Sequence, residues 1–465
     1  MLNFTNIDRA TPNKRNVLER LKDYNEVYEV FGRNKSKEQS DRCMQCGDPY
    51  CHSKCPLHNF IPAWLKQTAE SNLELAFALS NEPSPFPEIL GKICPHDVLC
   101  EGACSLNTGH GAVAIGAVEA HINEKAFAAG LTPIFPGVTS SKKVAVIGSG
   151  PSGISAATFL LRKGIAVEMF ERADRAGGLL TYGIPGFKLD KTTVERRIAW
   201  LKKAGMVLHL NCEIGKDKSF ADLEKEFDAI YLGIGATKGR TAGIKGEDTQ
   251  GVHLAIDFLT GIQKRNFLSQ SDKNKGVVPK GFVDVKDKIV LVIGGGDTAM
   301  DCVRSSVREG AYSVKCLYRR DEANMPGSKK EVVNSKEEGV EFMFNVSPES
   351  IKSENGKVIG VELSKTAMSE PDESGRQRVE AIENSNFVEE ADVVIFALGF
   401  APEVPAFLKD SNIQTHAWGG IITTHFQTSN PKIYAGGDCQ RGADLAVTAA
   451  ADGRDAAKEI IKSLC

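Results

Sequence analysis

The sequence predicts an α/β fold built from two similar strand–turn–helix units, one inserted in the other, behind a mainly helical segment rich in cysteine. Three observations lead to this expectation. A short apolar strand followed by a glycine turn and a helix starts at Lys143, and the same pattern starts again at Ile289. A further strand, turn and helix follow Lys432, as expected if the chain returns to the first unit. Seven of the twelve cysteines lie between Cys43 and Cys104.

The composition of the 465 residues is that of a globular protein with two to four domains. The net charge of −3, with both signs well mixed, gives no basic patch and predicts no nucleic-acid partner. No apolar run approaches the roughly 20 residues of a membrane span, so no membrane association is expected. The N-terminus shows no secretory signal, and we expect a cytoplasmic protein. In that compartment, clustered cysteines indicate metal binding rather than disulfides.

The cysteines near the N-terminus form two groups, C-x2-C-x4-C-x3-C-P and C-P-x4-C-x3-C. The first resembles the cysteine run of bacterial ferredoxins, although that run has x2 where this one has x4. Two zinc sites are the alternative, but each would need four ligands and a C-x2-C, and only one C-x2-C is present. Iron–sulfur clusters are therefore predicted. The candidate ligands are Cys43, Cys46, Cys51, Cys55, Cys94, Cys100 and Cys104.

Seven thiols leave two four-iron clusters one ligand short, so an eighth ligand is expected nearby. Candidates are Glu101, His110 and Glu119. Glu119 stands among small apolar residues in a predicted helix over residues 113–127. A buried carboxylate needs a partner, because burying it unpaired is costly. An ordinary solvated helix residue is the alternative, and these residues alone leave the choice open.

The first unit comprises a strand, Lys143–Ile147, a G-x-G-x-x-G turn, a helix, a second strand, Ala166–Phe170, and an acid at its end. The glycines allow a tight turn, close approach of the backbone to a pyrophosphate and packing of the helix on the strand. The helix N-terminus then faces the phosphates, and the acid accepts from ribose hydroxyls. A second glycine pair follows closely, which favours a resident FAD over a passing nicotinamide. The candidate FAD-binding residues are Gly148, Gly150, Pro151, Gly153, Glu171, Gly178 and Leu179.

The second unit repeats this pattern with a strand over Ile289–Ile293, a G-x-G-x-x-A turn, a helix and a strand over Ser313–Tyr318. Two arginines follow that strand, where they suit the 2′-phosphate of NADP. NADPH is favoured, although the next two residues, Asp321 and Glu322, could turn the choice to NAD. The candidate NADPH-binding residues are Gly294, Gly296, Asp297, Thr298, Arg319 and Arg320.

The C-terminal strand, turn and helix are expected to return to the FAD-binding unit. There Asp438, after Gly437, can bond the ribityl chain of the flavin, and the N-terminus of the next helix, near Thr448, can face the isoalloxazine ring. An ordinary strand–turn–helix is the alternative. The predicted domains are a helical cluster-binding domain, 1–138, an FAD-binding domain, 139–275 with 397–465, and an NADPH-binding domain, 276–396. Both nucleotide domains are Rossmann-like.

These parts predict that electrons pass from NADPH to FAD and then to the clusters, since a flavin can split a hydride into the single electrons that clusters accept. Hydride transfer needs positioning, so we expect no general acid or base and no catalytic residue in that sense. Disulfide reductases share the two-unit plan but need a cysteine pair beside the flavin. No such pair follows Gly178, and Cys302 is predicted to be a core residue.

Six long motifs resemble the small (β) subunit of bacterial NADPH-dependent glutamate synthase, and together they cover nearly the whole chain. They are Q-S-x-R-C-M-x-C-G (39–47), C-P-x4-C-E-G-A-C (94–104), G-L-L-T-Y-G-I-P (178–185), G-G-G-D-T-A-M-D-C-V-R (294–304), R-R-D-E-x2-M-P-G-S (319–328) and F-Q-T-S-N-P-K (426–432). The resemblance implies electron transfer from NADPH through FAD and two [4Fe-4S] clusters to the FMN of a large (alpha) subunit. That partner hydrolyses glutamine and reduces the iminoglutarate made from 2-oxoglutarate.

The resemblance also implies interleaved cluster ligands. One cluster would be held by Cys43, Cys46, Cys51 and Cys104, and the other by Cys55, Cys94, Cys100 and Glu119. Similar chains serve pyrimidine reductases and electron-bifurcating transhydrogenases, so the partner is an inference. Two further hypotheses are a stand-alone NAD(P)H:ferredoxin-type oxidoreductase and a zinc-bearing interaction module with a degenerate flavin fold.

Overall fold

The helices and strands follow the predicted order in the computed structural model, which describes residues 2–370 and 377–464. The N-terminal helical segment contains a 3-10 turn, Asn3–Thr5, and then α1 (Val17–Arg20), α2 (Arg33–Asp41), α3 (Tyr50–Lys54), α4 (Ile61–Ala69), α5 (Leu73–Asn81), α6 (Pro87–Ile93) and α7 (Ile115–Ala128). Next come β1 (Lys143–Ile147), α8 (Pro151–Arg162), β2 (Ala166–Phe170), α9 (Leu179–Tyr182), α10 (Lys191–Lys203), β3 (Val207–His209), α11 (Phe220–Glu226), β4 (Ala229–Leu232), β5 (Lys238–Gly239), β6 (Val252–Leu254), α12 (Ala255–Asn266) and α13 (Gln270–Asn274). The remaining elements are β7 (Ile289–Ile293), α14 (Asp297–Arg308), β8 (Ser313–Tyr318), a 3-10 turn (Glu322–Asn324), α15 (Lys329–Glu337), β9 (Glu341–Phe344), β10 (Val346–Glu354), β11 (Lys357–Met368), β12 (Val379–Ala381), β13 (Phe387–Glu390), β14 (Val393–Phe396), β15 (Phe400–Ala401), a 3-10 turn (Ala406–Ser411), β16 (Ile433–Ala435), α16 (Asp438–Arg441) and α17 (Ala446–Leu464).

Two parallel five-stranded sheets organise the rest of the chain. The first has the strand order β16-β4-β1-β2-β3, and the second has the order β6-β14-β7-β8-β9. The central strands are buried and apolar along almost their whole length, as parallel strands covered on both faces must be. We call the parts built on these sheets the first unit and the second unit. The predicted α/β fold with two nested units is therefore confirmed.

The second unit begins earlier than the predicted boundary at residue 276. Strand β6 pairs in parallel with β14, with Val252 opposite Val394, so β6 and the helix α12 that follows it belong to the second unit. Strand β6 has only three residues and runs directly into α12, which is why it gave no strand pattern of its own. A sheet of antiparallel strands, β10 to β13, was also not predicted; it is inserted between β9 and β14.

The two units are joined by a narrow two-stranded ribbon. Strands β5 and β15 carry the chain into and out of the second unit, and they pair antiparallel over two residues each, with Phe400 opposite Gly239. Each unit has its own apolar core on each face of its sheet. The relative orientation of the units therefore depends on contacts outside the ribbon.

The helical segment packs against the first unit. Its own core surrounds Trp64, which is fully buried, and includes Trp200 of α10. Phe86 and Leu90, at the start of α6 and within it, enter the core formed by β1 and α8. This packing brings the cysteine-bearing loops next to the first unit. Among the described residues, no helix has the length and apolarity needed to span a bilayer.

Candidate functional site

One cavity of about 1550 Å³ lies between the two units. The glycine turn after β1 lines it from the first unit, and Asp297 and Thr298 line it from the second. Cys94 and its neighbour Pro95, from the helical segment, line the same cavity. Three separately predicted sites therefore meet in one space.

The turn between β1 and α8 leaves room for a dinucleotide. Gly148 has φ +95°, and a Cβ there would overlap the carbonyl oxygen of Gly233. A Cβ on Gly153 would overlap the carbonyl oxygen of Gly148, so the helix packs too closely for any side chain. Gly150 differs, because no atom lies within 4 Å of its Cβ position. Helix α8 begins at Pro151 with no side chain capping its free N–H groups. This arrangement fits a pyrophosphate at the helix N-terminus.

Glu171 is buried at the end of β2 and organises the glycine turn. Its carboxylate accepts hydrogen bonds from the backbone and hydroxyl of Ser149 and from the backbone N–H of Ala173, at 2.8 Å. A carboxylate has about four acceptor positions, so one position remains for a ribose hydroxyl. The predicted ribose contact is compatible with this geometry, and the contact with Ser149 was not predicted.

The second glycine pair meets the first turn. Gly178 has φ +54°, and its Cβ position lies 2.9 Å from Cα of Gly150. Gly178 and Leu179 both line the cavity, as expected for a second loop that approaches a bound cofactor closely.

The C-terminal elements close the cavity on the side of the first unit. Asp438 lines it, and burial raises the pKa of its carboxyl to about 7. The start of α17 also lines it through Ala446, Val447 and Ala449. The hydroxyl of Thr448 is buried and has no hydrogen-bond partner among the described residues. The first turn of helix α17 therefore lies at the cavity. Thr448, which was predicted to lie near the flavin, is not part of the lining.

The turn after β7 has the same construction as the first. Gly294 has φ +144°, and its Cβ would overlap the carbonyl oxygen of Ala397, whereas the Cβ position of Gly296 is open. Oδ1 of Asp297 accepts a hydrogen bond of 2.9 Å from the backbone of Ser328, which fixes the loop that follows β8 against the turn. These features fit a second dinucleotide.

Hydrogen bonds to the backbone carbonyl groups fix the position of the arginine pair after β8. The carbonyl oxygen of Arg319 accepts a hydrogen bond from the hydroxyl of Thr366, and that of Arg320 accepts one from the backbone of Asn345. Arg319 is exposed, and Nε of Arg320 is buried without a hydrogen-bond partner in the described part of the chain. An orphaned guanidinium N–H at this place suits an anionic ligand such as a 2′-phosphate.

The two acids that could favour NAD are engaged elsewhere. Asp321 caps the short 3-10 turn and accepts hydrogen bonds from the backbone and side chain of Asn324, at 2.9 and 2.8 Å. Glu322 forms an ion pair of 2.6 Å with Lys336. Both carboxylates therefore have partners of their own beside the arginine pair.

The first group of cysteines surrounds a small pocket in the helical segment. Cys43, Cys46, Cys51 and Cys104 line it together with Met44, Tyr50 and Leu106. Two N–H groups of Gln45 point at Sγ of Cys43, as N–H groups do around cluster sulfurs. Burial, followed by the neighbouring thiols of Cys104 and Cys43, raises the pKa of Cys51 to about 12. Four thiolates at this spacing need metal charge to coexist, so the donor set fits a cluster.

The second group comprises Cys55, Cys94, Cys100 and Glu119. Burial raises the pKa of Cys94, and the carboxylate of Glu119 and the thiol of Cys55 raise it further. Burial also raises the pKa of Cys100, and Glu101, followed by Cys55, Cys94 and Glu119, raises it further. Glu119 is only 7% exposed, and burial raises the pKa of its carboxyl to about 8. The shared pocket of Cys43, Cys46, Cys51 and Cys104 is compatible with the division of ligands that the resemblance implies, and that division stays a prediction.

The carboxylate of Glu119 is held in place by one amide. Nδ2 of Asn59 donates a hydrogen bond of 2.7 Å to Oε1 of Glu119. Oδ1 of Asn59 accepts from Nε1 of Trp64 at 3.1 Å, and this bond fixes which way the amide points. Glu119 thus has one oriented donor, and its charge raises the pKa of three nearby thiols, those of Cys55, Cys94 and Cys100.

The other two candidates for the eighth ligand are used differently. Glu101 pairs with Arg9 at 2.5 Å and accepts the backbone N–H of Gly116 at 3.1 Å. His110 is exposed and packs edge-on against Phe4, with ring centroids 4.9 Å apart. These contacts leave Glu119 as the candidate that the geometry supports.

Within residues 2–370 and 377–464, no three His, Cys, Asp or Glu side chains are grouped closely enough to hold a single metal ion.

One ion pair in the cavity was not predicted. Lys188, after α9 in the first unit, lies 2.9 Å from Oδ1 of Asp301, in α14 of the second unit. Burial lowers the pKa of Lys188, but Asp301 and Glu331 outweigh burial and raise it above its ordinary value. Because the partners are 113 positions apart and belong to different units, no local pattern in the sequence could reveal the pair. Cys302, next to Asp301, is fully buried in the core of the second unit, as predicted.

Two family models match the chain. One, described as "Dihydroprymidine dehydrogenase domain II, 4Fe-4S cluster", matches residues 20–131. The other, described as "Pyridine nucleotide-disulphide oxidoreductase", matches residues 142–453. The first covers both cysteine groups, and the second covers both glycine turns.

Curated relatives match almost the full length. The glutamate synthase (NADPH) small chain of Escherichia coli is 46% identical over 99% of this chain and 98% of that one. The protein of the same name from Halomonas elongata is 44% identical, also over 99% of this chain and 98% of that one. A putative oxidoreductase of E. coli, AegA, is 43% identical over 97% of this chain and 69% of its own length.

A solved structure shares the fold of the nucleotide-binding units. FprA of Mycobacterium tuberculosis in complex with NADPH has a TM-score of 0.58 and 19% identity, covering 70% of this chain and 85% of that one. At this identity the similarity shows a common fold, in agreement with the two nested parallel sheets described above.

Proposed function

This chain belongs to the glutamate synthase (NADPH) small-chain family, and from that premise we propose that it is the electron-input subunit of a glutamate synthase. It oxidises NADPH by means of FAD and passes the electrons through two [4Fe-4S] clusters to a large subunit that carries FMN. The large subunit makes glutamate from glutamine and 2-oxoglutarate.

The observation that carries this proposal is the shared cavity. Gly150, Thr298 and Cys94 line the same space, although they belong to the first unit, the second unit and the helical segment. A reductant, a flavin and a cluster bound at these three places would be neighbours. When bound, FAD takes the hydride of NADPH as an electron pair and releases single electrons, the only form that iron–sulfur clusters accept.

The residues of the first unit hold and orient the flavin cofactor. The open space at Gly150 and the free N–H groups of α8 receive the pyrophosphate, and Glu171 accepts from a ribose hydroxyl. Asp438 meets the ribityl hydroxyls, and a carboxyl with a pKa near 7 can either donate or accept there. The N-terminus of α17 stabilises negative charge that develops on the ring system.

The residues of the second unit bind and select the nicotinamide nucleotide. The turn of Gly294 and Gly296, with Thr298 at the start of α14, receives its pyrophosphate. Arg319 and Arg320 pair with the 2′-phosphate that distinguishes NADPH from NADH.

The placement of the two cysteine groups suggests an order for the clusters. A cluster held by Cys55, Cys94, Cys100 and Glu119 would lie nearest the flavin, because Cys94 also lines the flavin cavity. A cluster held by Cys43, Cys46, Cys51 and Cys104 would lie beside Tyr50, which is 58% exposed, and would supply single electrons to an acceptor docked there.

A second function is favoured by the match to AegA, a putative oxidoreductase that is longer than this chain. The same flavin and cluster unit could serve another acceptor, either as a stand-alone NAD(P)H:ferredoxin-type oxidoreductase or as a subunit of a related complex.

Anaerobic purification of the full chain tests the proposal. The extracted flavin should be FAD alone, iron should be about eight per chain for two four-iron clusters, and NADPH should bleach the flavin far faster than NADH does. Finding FMN, no flavin, or zinc in place of iron in a folded preparation would contradict the proposal.

A further inference from the structure

We propose that Arg20 is a positioning residue for hydride transfer: it anchors an N-terminal arm that holds the second unit in the orientation in which both glycine turns open into one cavity. The arm is defined as residues 13–28. This inference rests on the proposed function, because it concerns the geometry between the two nucleotide sites.

The orientation of the units needs such an anchor. The ribbon of β5 and β15 joins the units through two residue pairs, and each unit has separate apolar cores. A short ribbon between separate bodies is the usual place for a hinge. Hydride transfer requires the reacting atoms to be about 3–3.5 Å apart, so a small rotation about this ribbon would abolish it.

Arg20 forms the centre of the contact between the arm and the second unit. Its guanidinium donates a hydrogen bond of 2.8 Å to Glu337 through Nη2, and its Nε lies 2.9 Å from Glu338 as an ion pair without hydrogen-bond geometry. The side chains of Arg20 and Glu338 are 1% and 0% exposed. Glu338 follows α15 and also pairs with Arg304 and Arg308, at 2.8 and 2.6 Å. Arg20 therefore enters a buried charge network that belongs to the second unit.

Two tyrosines extend this contact. The hydroxyl of Tyr24 donates to Glu309 at 2.8 Å, and the hydroxyl of Tyr28 is hydrogen bonded to the side-chain amide of Asn334 at 3.0 Å. Glu309 follows α14, and Asn334 lies in α15. The arm thus holds the two helices that follow the nucleotide turn and the arginine pair.

The other side of the arm is bound to the first unit and to the helical segment. The backbone N–H of Val27 donates to the carbonyl oxygen of Phe187 at 3.0 Å. Glu26 accepts from the backbone of Asp190 at 2.8 Å and pairs with Lys92, in α6, at 2.9 Å. The arm therefore contacts the first unit, the second unit and the helical segment, and these contacts restrain the relative motion of the three parts.

Phe187, in the first unit, contacts both the arm and the second unit. Its ring stacks on Tyr24, with centroids 6.0 Å apart, and lies under the guanidinium groups of Arg304 and Arg308, at 4.3 and 4.1 Å. The next residue is Lys188, which pairs with Asp301 in the cavity. Phe187, which the arm contacts through Tyr24, is therefore adjacent in the chain to a residue that lines the cavity.

The test compares Arg20→Ala with Arg15→Ala in the full holoenzyme. Arg15 pairs with Asp23 inside the arm, at 2.7 Å, so its loss removes a charge from the same element without touching the second unit. In anaerobic stopped-flow experiments, we expect Arg20→Ala to slow flavin reduction by NADPH at least tenfold and to weaken the long-wavelength absorbance of nicotinamide stacked on flavin. FAD content, iron content and reduction by dithionite should stay at the wild-type level in both variants.

Hydrogen exchange gives a readout that does not depend on turnover. Amides of residues 329–338 should exchange faster in Arg20→Ala than in Arg15→Ala, and Arg20→Lys, which retains the charge but not both pairs, should be intermediate. If Arg20→Ala does not fold, Tyr24→Phe removes only the hydroxyl that meets Glu309 and should show a smaller change in the same direction.

Wild-type exchange and wild-type flavin reduction in Arg20→Ala would overturn the positioning role. A wild-type protein that binds FAD but is not reduced by NADPH would instead contradict the proposed function. In that case the exchange of residues 329–338 still decides whether the arm restrains the second unit.

Discussion

Replacing Glu119 by alanine should cost the protein one of the two clusters proposed above. The carboxylate is buried, its charge acts on the thiols of Cys55, Cys94 and Cys100, and Asn59 donates to it at 2.7 Å. Its removal leaves three cysteine ligands, and iron should fall from about eight to about four per chain. The change also leaves the buried amide of Asn59 without its acceptor, which should lower the free energy of unfolding by about 1–3 kcal/mol. This is less than the free energy of unfolding of a typical domain, about 5–15 kcal/mol. The variant should therefore fold.

The assay combines iron analysis with low-temperature EPR of the reduced protein. Glu124→Ala is the matched control, because Glu124 lies on the same helix but forms ion pairs with Arg196 at 3.0 Å and with Lys92 at 3.3 Å. Flavin reduction by NADPH should survive in Glu119→Ala, since that step precedes the clusters, whereas electron delivery to the large subunit should fail. Glu119→Cys should restore the iron with a shifted potential, because thiolate donates more electron density than carboxylate.

Full iron and an unchanged EPR spectrum in Glu119→Ala would refute the assignment. The eighth ligand would then lie elsewhere, and Glu101→Gln and His110→Ala would be the next variants to measure.

Replacing both Arg319 and Arg320 by alanine should raise KM for NADPH about tenfold or more and leave NADH nearly unchanged, because each charged pair with a phosphate contributes about 1.5–3 kcal/mol. Equal losses with both nucleotides would mean that the arginines serve the fold. Gly150→Val should fold but lose FAD, since the Cβ position is open to the cavity, whereas Gly153→Val should fail to fold because its Cβ overlaps backbone; flavin content and circular dichroism separate the two outcomes. Burial opposes ionisation of Glu338, but its arginine partners outweigh burial and lower the carboxyl pKa from 4.5 to about 2. A lowered pKa stabilises the folded state above the unfolded-state value, so a contribution of about 3 kcal/mol should be present above pH 4.5 and be lost as the pH falls toward 2. Urea unfolding of wild type and Glu338→Gln should converge over that range, and a constant difference would contradict the assignment.

The local parts of the fold were predictable because neighbouring residues encode them. The bounds of β1, β2, β7 and β8 agree with the predicted strands, since buried parallel strands are continuous apolar runs. The glycine turns were equally clear, because a glycine pattern between a strand and a helix is local in the sequence, although the residues that Gly148 and Gly294 approach, Gly233 and Ala397, are distant. The identity of the unit to which β6 belongs was not predictable, as that is decided by pairing with β14, far along the chain.

The candidate site was predictable as a set of residues but not as an arrangement. Nothing in the spacing of the cysteines indicates that Cys104 joins the first group and Cys55 the second; only the resemblance implied that division. The engagement of Asp321 as a cap, the ion pair of Lys188 with Asp301 and the anchoring of Arg20 all depend on contacts across the fold. Long-range pairs of this kind leave no periodic signal in the sequence.

The central claim is tested most directly by adding a purified FMN-containing large subunit to the full chain under anaerobic conditions. NADPH oxidation and glutamate formation from glutamine and 2-oxoglutarate are then measured together. We expect glutamate to form only when both proteins are present, with one NADPH oxidised for each 2-oxoglutarate reduced. NADPH oxidation without glutamate, or equally fast electron transfer to a small soluble carrier in the absence of the large subunit, would contradict the account.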